Sequence, residues 1–150
     1  GTNRMLVNKG FAYLHQGESL TALDRVPYTA LQTEKRQLLG KQAAIAKKLK
    51  SRKNDQALKA EHAELGKQVQ RITAELPKFF KWKIHCTHPI GFAMGGNTLY
   101  VGGNGIVKAY DATDGEEQWS AKIEGKGYGL AISNGRLFVS TDKGRIHCFE

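Results

Sequence analysis

Large apolar residues alternate with polar ones in three stretches of the chain, and a long stretch between the first two repeats with helical period instead. The three alternating stretches are FAYLHQGESLTALD (Phe11 to Asp24), TLYVGGNGIVKAYD (Thr98 to Asp111) and RLFVSTDKGRIHCFE (Arg136 to Glu150). Alternation suits a pleated strand, whose side chains point to opposite faces in turn. The residues between the two apolar halves of each stretch are rich in Gly, Asn or Asp, which tolerate the positive φ of a tight turn. Each stretch therefore predicts a β-hairpin, and the three align on Tyr13, Tyr100 and Phe138.

The spacing turns three hairpins into a repeat. Tyr100 and Phe138 are 38 residues apart, about the length of a four-stranded propeller blade, whereas Tyr13 and Tyr100 are 87 apart. Trp82 precedes Tyr100 by 18 residues and Trp119 precedes Phe138 by 19, so the two tryptophans hold the same place in the repeat. The excess of 49 residues predicts an insertion between Arg25 and Lys81 that parts the third strand of the first blade from its fourth.

The inserted stretch has its own pattern. From Thr29 to about Arg52, Leu31, Leu38, Leu39, Ala43, Ile45, Ala46 and Leu49 recur at helical spacing. After the polar break Ser51 to Asp55, Leu58, Leu65, Val69, Ile72 and Leu76 form a heptad seam that Pro77 ends. Two helices of about 22 residues, each about 33 Å long at 1.5 Å per residue, joined by a short turn, predict an antiparallel coiled-coil hairpin. Such a hairpin has its ends close together and can be spliced between adjacent strands. The expected organisation is residues 1–28 as the first part of a blade, 29–80 as the hairpin and 81–150 as the remaining blade structure. Gly40 and Gly66 fall inside the helices at a cost of about 1 kcal/mol each relative to alanine, and are read as points of close helix approach. His62, on the seam, is read as a tolerated histidine rather than a metal ligand.

Charge singles out the same segment. Thr29 to Lys81 carries 13 Lys+Arg against 5 Asp+Glu, out of 23 and 14 in the whole chain, so nearly all of the formal +9 belongs there. No apolar run approaches the roughly 18 residues of a membrane span, and the opening GTNRMLVNKG lacks the apolar core of a secretory signal. Cys86 and Cys148 are too few for a disulfide framework and form no CxxC pair.

The residues Ala109-Tyr110-Asp111-Ala112-Thr113-Asp114-Gly115-Glu116-Glu117-Gln118-Trp119 resemble the repeat motif of the quinoprotein-like (PQQ-like) propellers, in which Ala-x-Asp-x-x-Thr-Gly-x-x-x-Trp closes a blade. Asp111 can cap turn amides, Gly115 can take a left-handed conformation, and Trp119 offers a flat surface for packing between blades. Asp114 stands where the motif has Thr. The first stretch keeps Ala22-Leu23-Asp24 and then departs, with Trp82 returning in register after the insertion. The resemblance implies a mainly β fold of antiparallel propeller blades interrupted by an inserted helical hairpin. About two and a half blades are present where rings close with four to eight. The expectation is a fragment of a larger exported protein, with self-association of several copies to complete a ring as the alternative.

Function is read from the same residues. The family's dehydrogenases hold pyrroloquinoline quinone (PQQ) with calcium over the centre of a ring, but no acidic cluster or general base for that chemistry is apparent, so no cofactor is expected in this segment. A quinone-dependent dehydrogenase is kept as an alternative. His85-Cys86-Thr87-His88 fits no standard zinc spacing and no haem attachment motif, and alternation sends His85 and Cys86 to opposite faces. The runs Gly95-Gly96-Asn97 and Gly102-Gly103-Asn104-Gly105 lack the helix and Lys-Ser/Thr of a phosphate cradle and are read as hairpin turns. The lysines of the inserted segment are dispersed rather than grouped with aromatics, which leaves nucleic acid or an anionic surface as a second alternative. The favoured expectation is a non-enzymatic scaffold for protein partners. Its expected structural residues are Trp82, Asp111, Gly115 and Trp119, and its expected partner contacts are Arg52, Lys53, Asn54 and Asp55 at the hairpin tip. The resemblance implies an extracytoplasmic location, periplasm or cell envelope.

Overall fold

The computed structural model describes residues 4–88 and 90–150, so the first three residues assigned above to a blade lie outside the described residues. The chain forms two compact units, Gly1–Leu23 with Phe80–Glu150, and Asp24–Phe79. The first is all β and the second is helical.

The β unit begins with β1 (Arg4–Asn8), β2 (Phe11–Gln16) and β3 (Ser19–Asp24), and after the helical segment adds β4 (Phe80–His85). These four strands pair in chain order as an antiparallel sheet. Then come β5 (Gly91–Gly95), β6 (Thr98–Gly102), β7 (Asn104–Asp111), β8 (Glu117–Ser133), β9 (Arg136–Thr141) and β10 (Ile146–Phe149), again paired in chain order. The length of β8, 17 residues, explains why this second sheet has six strands. Its first part pairs with β7, from Glu117 to Lys126, and its second part pairs with β9, from Gly127 to Ser133. β8 thus closes one blade and opens the next. The alternation in residues 117–133 is interrupted by Gly125, Gly127 and Gly129, which is why the sequence alone does not announce one continuous strand.

The blades are equivalent residue by residue. Ala22 pairs with Trp82 in the first and Ala109 with Trp119 in the second, and in both the register slips at the next position, Leu23 and Tyr110. Asp24 therefore corresponds to Asp111, and residues 25–79 stand where the second blade has the short turn 112–116.

Alternation also decides which side chains are buried between blades. Tyr13, Leu20, Ala22 and Cys86 of the first blade pack with Leu99, Val101, Tyr110 and Ala112 of the second. Val107 and Ile123 of the second pack in turn with Leu137 and Val139 of the third. Burying a side chain of this size contributes about 1.5–3 kcal/mol, so these two clusters hold blade to blade. The glycine runs read above as turns are only partly so. Gly95 and Gly102 are strand residues, and a Cβ on Gly102 would collide with the carbonyl oxygen of Gly127. A side chain there would force the third blade off the second.

In the helical unit, α1 (Arg25–Ser51) and α2 (Gln56–Glu75) are joined by a turn and followed by a 3₁₀ turn, Leu76–Phe79. The first helix starts at Arg25, four residues before the expected Thr29. Pro27 is harmless there, because the first turn of a helix needs no N–H donors and proline's fixed φ suits it. Leu38, Ile45, Leu65, Ile72 and Leu76 make one buried seam between the helices. At Gly66 a Cβ would sit 3.2 Å from Nε2 of Gln42, whereas Gly40 faces open space, so close approach applies to Gly66 alone.

Candidate functional site

The joint between the first two blades is built from the motif residues. Asp111 accepts at Oδ1 from the backbone N of Thr113 (2.7 Å) and from Asn97 (3.1 Å), and at Oδ2 from Gln118 (2.9 Å). One carboxylate so fixes its own turn and ties it to the β5–β6 turn. Gly115, at φ +81, ends that turn in the left-handed region. Trp82 of the first blade lies against this glycine, and its Nε1 donates to the carbonyl of Ala112 at 3.0 Å. Tyr13 stands beside it with ring centroids 6.2 Å apart. Trp119, the equivalent residue one blade on, instead meets Phe149 edge-on at 5.0 Å.

Beside this joint opens a groove of about 810 Å³. Phe11, Tyr13 and Ala22 of the first blade and Ala112 of the second give it an apolar floor, while Asn8, Lys9, Lys81, Asn97 and Thr113 supply the polar lining. The strand ends explain the mixture. Inward positions of β2 and β3 must be apolar to cover the second blade, and the turns that emerge beyond them are polar. A second groove at the next joint, about 160 Å³, is lined by Thr98, Tyr100, Ala109, Gln118 and Trp119 of the second blade with Gly135, Leu137, Phe149 and Glu150. By the register above, Thr98 corresponds to Phe11, Tyr100 to Tyr13, Ala109 to Ala22 and Gln118 to Lys81. The two grooves are the same feature made twice with different side chains.

At the other end of the joint His15, fully buried, shares its Nε2 hydrogen with the carbonyl of Cys86 at 3.0 Å. A carbonyl only accepts, so Nε2 carries the proton and Nδ1 does not, and Nδ1 is buried without a partner. Burial, and Arg4 nearby, push the His15 pKa below the ordinary histidine value, while the bond to Cys86 opposes this. Tyr110 donates to the Cys86 Sγ at 3.9 Å, and burial pushes its phenol well up. His88 is also lowered, by burial first and then by Lys108. His85 is exposed and Cys86 buried, so the cluster His85-Cys86-His88 does not converge on one point. Among the described residues no three His, Cys, Asp or Glu side chains gather as a metal site.

The hairpin tip is held by its own contacts. The Asp55 carboxylate accepts from the backbone N of Leu58 at 3.1 Å and caps α2, and the Arg52 backbone N donates to the Lys48 carbonyl at 3.0 Å. Arg52, Lys53 and Asn54 are exposed. The sequence singled out Asp111, Gly115 and Trp119 through the motif and Trp82 through its spacing to Tyr100. It missed the groove and its residues Phe11, Lys9 and Lys81, because a groove between blades belongs to two segments far apart in sequence. The signal that was present is the pair Phe11 and Thr98 at equivalent positions.

Residues 103–150 match the family model described as outer membrane protein assembly factor BamB. No curated protein matches the chain. The matched residues run from the β6–β7 turn through the third blade.

Proposed function

With repeats of the PQQ-like family in its second and third blades, the chain is one for which we propose a non-enzymatic role as a propeller-repeat scaffold that binds protein partners. The observation that carries this reading is the replacement of the turn 112–116, in the equivalent place of the first blade, by a two-helix hairpin of residues 25–79. Within that hairpin the apolar seam is satisfied by its own two helices, and lysines and arginines face solvent. A hairpin whose apolar seam closes on itself adds a net positive surface, whereas charges in the rest of the chain nearly balance, 10 Lys+Arg against 9 Asp+Glu. The heptad spacing of Leu58, Leu65 and Ile72 supports a coiled-coil arm.

Partner contacts fall at the tip, on Arg52, Lys53, Asn54 and Asp55. The cations of Arg52 and Lys53 have no anionic partner among the described residues, whereas Asp55 has a capping duty of its own. The family description names an outer membrane assembly factor, and an extracytoplasmic place for this chain goes with that reading. Among the described residues no helix is long and apolar enough to cross a membrane.

The repeat register supplies the test. Residues 25–79 are replaced by the sequence Ala-Thr-Asp-Gly-Glu of residues 112–116, which restores the turn of the second blade. The trimmed chain is expected to keep the tryptophan environment of the folded blades and to lose the protein cross-links that the intact chain forms through Lys53. An unchanged set of cross-linked proteins would remove the hairpin as the binding element.

A further inference from the structure

The groove between the first and second blades differs from its copy at the next joint in a consistent direction. Where the second groove has Thr98, the first has Phe11, and where the second has Gln118, the first has Lys81. The second also has an acid, Glu150, in its wall, and the first has none in its lining. The first is also the larger cleft, about 810 Å³ against about 160 Å³; both are lined by aromatic rings, Phe11 and Tyr13 in the first and Tyr100, Trp119 and Phe149 in the second, but only the first has a basic rim.

Lys9 strengthens the contrast. It sits in the β1–β2 turn with φ +47, and the same turn position is filled by Gly96 in the second blade and by Asn134, φ +49, in the third. Glycine and asparagine are the residues that enter the left-handed region readily, whereas a lysine there carries a backbone cost of about 1–2 kcal/mol. The sequence accepts that cost at a position whose side chain reaches the groove. Neither Lys9 nor Lys81 has an anionic partner among the described residues. Two cations without counter-charge flank an apolar floor into which one large side chain fits.

We infer that this groove is a peptide-binding site for an acidic segment of a partner protein, with one aromatic or large aliphatic side chain seated over Phe11 and carboxylates paired with Lys9 and Lys81. An aromatic anchor in a pocket with charges at its rim is the usual division of labour in such recognition, in which the anchor supplies affinity and the rim selects the partner. Backbone N–H groups of the peptide find acceptors in the side-chain carbonyls of Asn8 and Asn97, whose amide nitrogens already donate to Met94 and to Asp111 and Thr113. The site lies wholly within the blades, so it stands or falls separately from the hairpin.

The experiment uses fluorescence anisotropy with a short labelled peptide bearing one phenylalanine between aspartates, titrated with the full chain. Two partner peptides serve as controls, one with serine for phenylalanine and one with lysines for the aspartates. Phe11→Thr and Lys81→Gln install residues that the second blade carries at the same positions, so the fold has a precedent for each. Saturable binding is expected, weakened about tenfold by Phe11→Thr, in line with removing one buried aromatic contact, and about threefold by Lys81→Gln, in line with losing one exposed ion pair. Both control peptides are expected to bind more weakly than the first.

The chain with residues 25–79 replaced by the short turn is expected to bind the peptide as well as the intact chain. Failure of saturable binding overturns the inference. So does binding that ignores the Phe11→Thr change, which would mark non-specific attraction to the basic helices. A single-stranded oligonucleotide that displaces the peptide stoichiometrically at physiological salt would also overturn it, by assigning the groove to nucleic acid.

Discussion

A methyl group on Gly115 would meet the Trp82 ring 2.8 Å from Cε3, at a backbone φ of +81 that side chains rarely adopt. Both effects act together in Gly115→Ala, and the expected loss of stability is about 2–3 kcal/mol, read as a lowered denaturant midpoint. Trp82→Phe removes both the hydrogen bond to Ala112 and part of the indole that packs on the glycine, and its cost is expected to be about 1–3 kcal/mol. His15 gives a different kind of test. Its folded pKa is lowered by burial, so the unfolded chain, with histidine near pH 6.5, binds the proton more readily. The linked stability is complete above about pH 6.5 and is lost as pH falls below it. His88, lowered as well, by burial and by Lys108 against the opposing Glu117, contributes with the same sign. The denaturation midpoint is therefore expected to fall between about pH 7 and about pH 5, with a shallower fall in His15→Gln, whose amide can still donate to the Cys86 carbonyl. The motif made Gly115 legible in the sequence, because turn geometry demands a residue type, and repeat spacing made Trp82 legible. Nothing comparable marked His15. Its buried hydrogen bond is to Cys86, 71 positions away, and alternation alone makes it only an inward-facing residue.

At the scale of elements, period was the dependable signal. The two helices were legible from their apolar spacing, and the insertion was legible because Trp82 and Trp119 kept their distance from the following hairpin. The helix start was less so, since Pro27 reads as a breaker unless it falls in the first turn. The seam predicts independent behaviour of the helical unit. Ile72 is 6 % exposed within a cluster that is confined to the hairpin, and Ile72→Ala removes about 2–4 kcal/mol there. The helical far-UV signal is expected to melt earlier in this variant while the tryptophan fluorescence of the blades melts as before. A single shared transition shifted downward by the substitution would show that the two units unfold as one. The continuity of β8 across two blades was not legible, because its glycines are selected by close packing between strands and depress the very pattern that identifies a strand.

The whole molecule is governed by one stacking operation used twice: the face of each blade that carries its inward tyrosine and tryptophan is covered by the opposite face of the next. Carried backwards, the same operation leaves the β1 edge of the first blade's outer face exposed, while Ala12, Thr21 and Leu23 on that face are buried. Met5 and Val7 lie there, 62 % and 49 % exposed, at the positions where the second blade has Phe92 and Met94, which pack against the first blade. Carried forwards, it leaves Ile146 of the third blade 74 % exposed. These two faces are complementary in the sense that matching faces already pair twice within the chain, and their joining would be head to tail rather than two-fold. The chain on its own is thus expected to associate as its concentration rises, with the sedimentation coefficient climbing accordingly. Val7→Glu, which places a carboxylate on this exposed edge strand, is expected to lower that association about tenfold or more, since burying an unpaired charge in an apolar contact costs over 1.4 kcal/mol. A concentration-independent monomer would show that apolar likeness between faces is insufficient without the Trp82 joint, whose receiving turn the first blade has exchanged for a pair of helices.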